Sequence, residues 1–265
     1  MKSPLNKRLF RELRGEFGKY LVIFILMTLT IGMVSGFLVA DGSMIQAYKE
    51  SFEKYNIENG HFRTEKKMNN AQIQDIENLG IKLYENYYVE EALTNGSTMR
   101  IFKNRDEVNK VCLMKGKMPE KPGEIGIDRM YADNNDLSVG DEIESGGYTW
   151  KITGLVALSD YSALFSNNND SMFDSVKFGV SVVCPEEFDS YKADQLNYSY
   201  AWKYNTEPKN EKAEKDISED LMEDVAKEVT LEEFVPRYTN QAIIFTGDDM
   251  GGDRSMMIVL LYIII

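Results

Sequence analysis

The one histidine of the chain, His61, lies in Asn59-Gly60-His61-Phe62. A Ser/His/Asp or Cys/His relay needs an imidazole held between an acid and a nucleophile, and an esterase-type nucleophile is marked by G-x-S-x-G. No such pentapeptide accompanies His61, so a surface or strand-start histidine is expected. A lone histidine excludes paired-histidine metal motifs, and two cysteines exclude a four-thiolate zinc site. Asp248, Asp249 and Asp253 cluster in TGDDMGGD. A calcium loop needs alternating oxygen ligands closed by a distant glutamate, so this run reads as a polar turn just above a membrane. Cys112 and Cys184 both fall in predicted strands. A bridge between them is open outside the cytoplasm, with two buried free thiols as the default. Tyr84, Tyr87, Tyr88, Tyr191, Tyr198, Tyr200, Trp202 and Tyr204 are of types that favour interfaces, but their alternation along strands points to core and edge packing. G-x-x-x-x-G-K-[ST] is absent, so ATP is not bound through a P-loop. No catalytic, cofactor-binding or metal-binding residue is assigned, no cofactor is expected, and the chain does not read as an enzyme.

What positions these side chains begins at the ends of the chain. Tyr20–Ala40 (YLVIFILMTLTIGMVSGFLVA) is 21 residues without a charge. As a helix it is about 32 Å long, the thickness of bilayer hydrocarbon. A signal-peptide core is shorter, about 7–15 residues, so a retained transmembrane helix is expected. Residues 1–19 carry six basic and two acidic side chains, net +4, which places the N-terminus in the cytoplasm. Leu5, Leu9, Phe10, Leu13 and Phe17 share one helical arc and Lys7, Arg8, Arg11 and Arg14 the opposite one. An amphipathic helix in the inner headgroup layer and a plain basic flank both fit. Ser255–Ile265 (SMMIVLLYIII) is uncharged and has eleven residues, against about 20 for a span. It reads as the start of a second transmembrane helix, truncated, and the chain as the first part of a longer polytopic protein.

The 265 residues suggest about two domains on a prior of ~150 each. With 43% hydrophobic and 28% charged residues the chain has the makings of a core. A net charge of −13 excludes a general nucleic-acid binder. Asp41–Arg254 holds 24 basic and 41 acidic residues, net −17, as suits a solvated body outside the cytoplasm that is not drawn onto anionic lipid. Met44, Ile45, Tyr48, Phe52 and Tyr55 recur at helical spacing without a breaker before them, which predicts one helix continuing from the span to about Tyr55 as a stalk.

Further along, Asn70 with AQIQDIENLG reads as a capped helix with Ile73, Ile76 and Leu79 inward and Gly80 as its stop. Strands are predicted over Ile81–Leu93 and Thr98–Lys103 around an Asn95-Gly96 turn. Others are predicted over Val111–Met114, Glu124–Ile127, the alternating residues 148–153, and 176–182. Ala213, Ile217, Leu221 and Val225 predict a second amphipathic helix. Val229–Val235 and Gln241–Thr246 are predicted as the last strands. The fold class is therefore α+β: an N-terminal transmembrane and stalk helix carrying an extracytoplasmic mixed domain with an inserted small β subdomain. The divisions are 1–19 (cytoplasmic basic segment), 20–40 (first transmembrane helix), 41–254 (core domain, β-rich insert about 111–184) and 255–265 (start of the second helix).

Met114–Ile143 (MKGKMPEKPGEIGIDRMYADNNDLSVGDEI) and Tyr148–Val156 (YTWKITGLV) resemble the extracytoplasmic core domain of FtsX-like permeases, the MacB-like type of ABC transporter. The pattern falls on Gly116-Lys117-Met118-Pro119, Gly123-Glu124-Ile125, Ala132 with Leu137, Val139-Gly140-Asp141, and Ile152-Thr153-Gly154. Gly116, Gly123 and Gly140 supply backbone freedom there, while Pro119 and Pro122 block helix. The resemblance implies a cell-membrane permease subunit, or fragment of one, that transmits the motion of a separate ABC ATPase to its extracytoplasmic domain for export or mechanical signalling. It also implies a second permease protomer, contact with the lipid bilayer, and an extracellular peptide, lipid or protein partner. The alternative is a standalone membrane-anchored binding or sensor domain.

Overall fold

The computed structural model describes residues 11, 12 and 14–264, and the side chains of all of these except 260, 261, 263 and 264. The wheel of Leu5, Leu9, Phe10, Leu13, Lys7 and Arg8 lies outside the described residues. Contacts divide the chain into two units, one of residues up to Lys49 together with those from Gly247 onward, the other Glu50–Thr246.

In the first unit the dominant element is α1, Phe17–Lys54, 38 residues without a break, whose last residues pass into the second unit. No proline interrupts it and its apolar run is unbroken by charge from Tyr20 to Ala40. Leu21–Met27, Leu29, Ile31, Met33 and Val39 all stand exposed, and only Val34 and Asp41 are buried. So much bare apolar surface is incompatible with water and suits lipid. Among the described residues α1 is the one helix long and apolar enough to cross a membrane. The same unit holds most of the last helix, which runs Gln241–Ile264. Arg254 Nη1 lies 3.9 Å from Asp41 Oδ2, and a Cβ on Gly247 would meet the Tyr48 ring at 2.6 Å. The two contacts step in opposite directions along the chain, so the two helices run antiparallel here.

The predicted strand Gln241–Thr246 is therefore a correction: these residues open that last helix. Asn240 decides it, its Oδ1 accepting the Ala242 N–H at 3.1 Å and its carbonyl the Ile244 N–H at 2.9 Å. Such a start outweighs the strand preference of Ile243, Ile244 and Phe245. Asp248, Asp249 and Asp253 likewise lie on this helix, exposed, and not in a polar turn.

The second unit is built on two sheets. Its elements are β1 (Gly60–Thr64), α2 (Asn70–Glu77), β2 (Ile81–Glu85), β3 (Tyr88–Ala92), β4 (Thr98–Lys103), β5 (Val111–Gly116), β6 (Glu124–Asp128), α3 (Arg129–Asn134), β7 (Glu142–Ser145), β8 (Tyr148–Leu158), β9 (Phe178–Val183), α4 (Pro185–Phe188), β10 (Tyr198–Tyr204), α5 (Glu211–Glu228) and β11 (Leu231–Pro236), before α6 (Gln241–Ile264). The smaller sheet is antiparallel in the order β11-β1-β10-β2; the larger, mixed sheet runs β3-β4-β9-β6-β8-β5, with β7 on β8. This is an α+β architecture.

The smaller sheet is closed on one face by α2 and α5, through Ile76, Leu221 and Val225 over Phe62 and Trp202. Phe62 stacks on Tyr200 at 5.6 Å and Trp202 on Phe234 at 4.7 Å. The aromatic residues of β10 thus pack the core, as their alternation suggests. The cap of α2 is Asn69, one residue before the predicted Asn70: its Oδ1 accepts the Ala71 and Gln72 N–H groups, and Gln72 Oε1 accepts the Asn69 N–H. Leu79, expected inward, is exposed. On α5 the buried face is Glu214, Ser218, Leu221 and Val225, and Ile217 is exposed. Polar contacts turn the helix: Glu214 meets Arg237 at 3.4 Å and Ser218 Oγ lies 3.0 Å from Tyr238 Oη.

The predicted strand Ile81–Leu93 is broken at Asn86-Tyr87, and its halves join different sheets. The larger sheet accordingly begins at Tyr88, well before residue 111. Cys112 lies in β5, but Cys184 follows β9 and opens α4; both thiols are free. The stretch that resembles the permease motif folds as β5 to β8. Gly116, Gly123 and Gly140 all take positive φ, at 80°, 83° and 105°. The Gly123 turn is pinned by the buried Glu187 carboxylate, which accepts the Gly123 N–H at 2.6 Å and the Trp150 Nε1–H at 3.0 Å. These motif residues shape the turns between the strands.

Candidate functional site

A buried polar seam gathers groups from around both sheets of the second unit. Its groups come from five separate segments, which is why sequence spacing gives no sign of it. Glu58 precedes β1; His61 is in β1; Arg105 and Asn109 lie between β4 and β5; Asp160 follows β8. Asn86, in the break between β2 and β3, completes it.

Arg105 and Asp160 form a two-pronged ion pair, Nη1 to Oδ2 and Nη2 to Oδ1, both 2.7 Å, with side chains only 7% and 5% exposed. Arg105 Nη1 also donates to Asn86 Oδ1 at 2.9 Å, and its guanidinium lies 4.6 Å over the Phe102 ring. Asn109 Nδ2 donates to Glu58 Oε2 at 2.6 Å, while Asn109 Oδ1 accepts the Glu58 N–H at 2.9 Å. His61 Nδ1 is 2.6 Å from Glu58 Oε1. Burial pushes the Glu58 carboxyl up, but His61, Asn109 and Arg105 together hold it below the usual carboxylate range. Burial likewise favours neutral His61, yet the Glu58 carboxylate, with Glu233 and Asp160 behind it, holds the imidazole above its ordinary value.

The seam is tied to the domain-side end of α1. The Lys110 N–H donates to the Tyr55 carbonyl at 2.9 Å and the Asn109 N–H to the Asn56 carbonyl at 3.1 Å. Lys203 Nζ donates to the Ile57 carbonyl at 3.0 Å, and Asn56 Nδ2 to the Glu107 carbonyl at 2.8 Å. These carbonyls belong to the turn that follows α1; the last carbonyls of the helix itself, those of Ser51, Phe52 and Glu53, accept the N–H groups of Tyr55, Ile57 and Asn56 at 2.9–3.2 Å. The loop after Asp160 grips the first turns of α6. Asn168 Oδ1 accepts the Gln241 N–H at 2.8 Å, Ser162 Oγ lies 2.9 Å from the carbonyls of Ala242 and Ile243, and Phe165, Phe173 and Phe245 pack with ring centres 5.4–5.7 Å apart. Beside the seam is an open cavity of about 510 Å³ lined by His61, Arg63, Arg100, Lys177 and several asparagines. Arg100 is committed there to Glu90, Tyr161 and Ser166.

Of the residues weighed from sequence, the seam takes His61 alone. Cys112, Cys184 and the three aspartates of α6 lie elsewhere, and no group of three or more potential metal ligands occurs among the described residues. This arrangement joins the turn after α1 to the loop between β4 and β5.

No family model matches the chain, and no curated protein matches it. Among solved structures it is similar to the periplasmic region of MacB from Actinobacillus actinomycetemcomitans, at 11% identity and a TM-score of 0.34, over 64% of this chain and 85% of that one. It is similar also to the extracellular domain of the noncanonic ABC-type transporter YknZ from Gram-positive bacteria, at 8% identity and a TM-score of 0.33, over 63% and 92%. Likenesses at these scores do not bear on what the chain does.

Proposed function

We propose that the chain is a permease subunit, or part of one, of an FtsX/MacB-like ABC transporter, and that it passes ATPase-driven motion across the membrane to its extracytoplasmic domain. The observation that carries this is the unbroken α1, lipid-compatible over Tyr20–Ala40, whose far end is fastened by Tyr55, Asn56 and Ile57 into a buried charged seam. A helix without proline or inserted side chain resists bending, and the two-pronged Arg105–Asp160 pair with the Glu58–Asn109 contacts ties the seam together. The motif resemblance of Met114–Val156 implies the ATPase partner and the second protomer, and the net charge of +4 over residues 1–19 argues for a cytoplasmic N-terminus. One observation favours the alternative, an anchored binding or sensor domain: the polar cavity beside the seam.

Purification of the full-length membrane protein in mild detergent from its own cells tests the proposal. A P-loop ATPase is expected to co-purify with it. Its repeated absence would remove the transporter reading and leave the binding domain.

A further inference from the structure

The seam contains two buried carboxylates, Glu58 and Asp160, but one permanent cation, Arg105, which Asp160 already engages. A buried carboxylate left without a counter-charge is costly. The group in position to balance Glu58 is His61, 2.6 Å away. Its side chain is 24% exposed and lines the open cavity, so protons reach it from outside.

We propose that the seam closes by taking up one proton on His61, so that the grip of the domain on the end of α1 follows the pH of the space outside. This deepens the reading of the domain as a mechanical transmitter and rests on it. The charged groups around the imidazole come from every side: Glu58 before β1, Asp160 after β8, Arg105 after β4, and Glu233 of β11, itself 3.7 Å from Arg63. Asn109 contributes a neutral amide to the same carboxylate. Carboxylates prevail in this set, and the folded protein holds the His61 proton more tightly than an unfolded chain does. The sign follows. The grip is complete below the unfolded histidine pKa of about 6.5, and it is lost as the pH rises through the higher folded value. Deprotonation leaves one uncompensated negative charge beside Asn109. Asn109 and Lys110 are the residues whose amides hold the Asn56 and Tyr55 carbonyls.

Because His61 is the one histidine, a single imidazole resonance reports the event. Full-length protein in lipid nanodiscs, titrated by NMR, is expected to show a midpoint above about 6.5. Amide exchange at Asn109 and Lys110, corrected for its intrinsic pH dependence, should accelerate across that midpoint. In Glu58→Gln the midpoint should fall by a unit or more, about a tenfold loss of proton affinity. If that variant does not fold, His61→Gln takes its place and should show no step in exchange. A wild-type midpoint at or below about 6.5 overturns the proposal, as does a step that persists in His61→Gln. Neither readout needs an ATPase. A failed co-purification and a failed titration therefore strike different claims.

Discussion

Arg105→Ala should destabilise the domain by about 3–5 kcal/mol, because it strands the Asp160 carboxylate in a site with almost no solvent. The pair is worth less than this loss implies. Bringing both ions out of water offsets most of their attraction, and the cost of the single change lies in the orphaned charge. The double replacement Arg105→Met with Asp160→Leu should accordingly recover a large part of the loss, although Asn86 Oδ1 then loses the Arg105 donor, while Asn109 keeps Glu58. Urea unfolding of the full chain in mild detergent, followed by the fluorescence of buried Trp202 and Trp150, measures both. A loss below about 1 kcal/mol would mean that the seam is open to water and holds nothing.

A graded series is expected at the glycines of the permease-like stretch. Gly116 combines a positive φ with a Cβ position 2.3 Å from the Thr153 carbonyl oxygen. Gly116→Ala should cost about 3 kcal/mol or more, since backbone strain and backbone overlap add. Gly154, whose Cβ position lies 2.4 Å from the Lys117 carbonyl oxygen, suffers overlap without the strained dihedral, and about 1–3 kcal/mol is expected there. Gly123 has a positive φ but open space around it, so about 1 kcal/mol is expected for Gly123→Ala. The order Gly116, Gly154, Gly123 in thermal midpoints checks the series. Equal losses at all three would show that close approach of the β5 and β8 backbones is not what the glycines provide.

Local regularities were readable from the residues. The 21 uncharged positions of Tyr20–Ala40 announce a span, and the alternation around Trp150 and Ile152 announces β8, because each pattern matches the period of its element. Partner choice was not readable. Ile81–Leu93 looks like one strand, since nothing in a period of two says that Asn86 turns the chain from one sheet to the other. The buried face of α5 keeps Leu221 and Val225 but takes Glu214 and Ser218 in place of Ala213 and Ile217, because Arg237 and Tyr238, from beyond β11, draw them inward. The seam was invisible for the same reason on a larger scale. Glu58 and Asp160 stand about a hundred positions apart, and only folding makes them neighbours. His61 is the exception, noticed because it is unique; its carboxylate partner three residues upstream carried no distinguishing signal.

Everything proposed for the chain depends on Glu50–Thr246 standing outside the cytoplasm while the N-terminus stays within. A membrane-impermeant maleimide on intact cells tests this most directly, in the full chain with Cys112→Ser as background and one added cysteine at a time. Asn169→Cys, exposed on the loop after β8, should be modified at once. Arg11→Cys should remain unmodified until the cells are opened. Protection of Asn169→Cys in intact cells, with rapid modification after lysis, would put the domain on the wrong side and contradict the account.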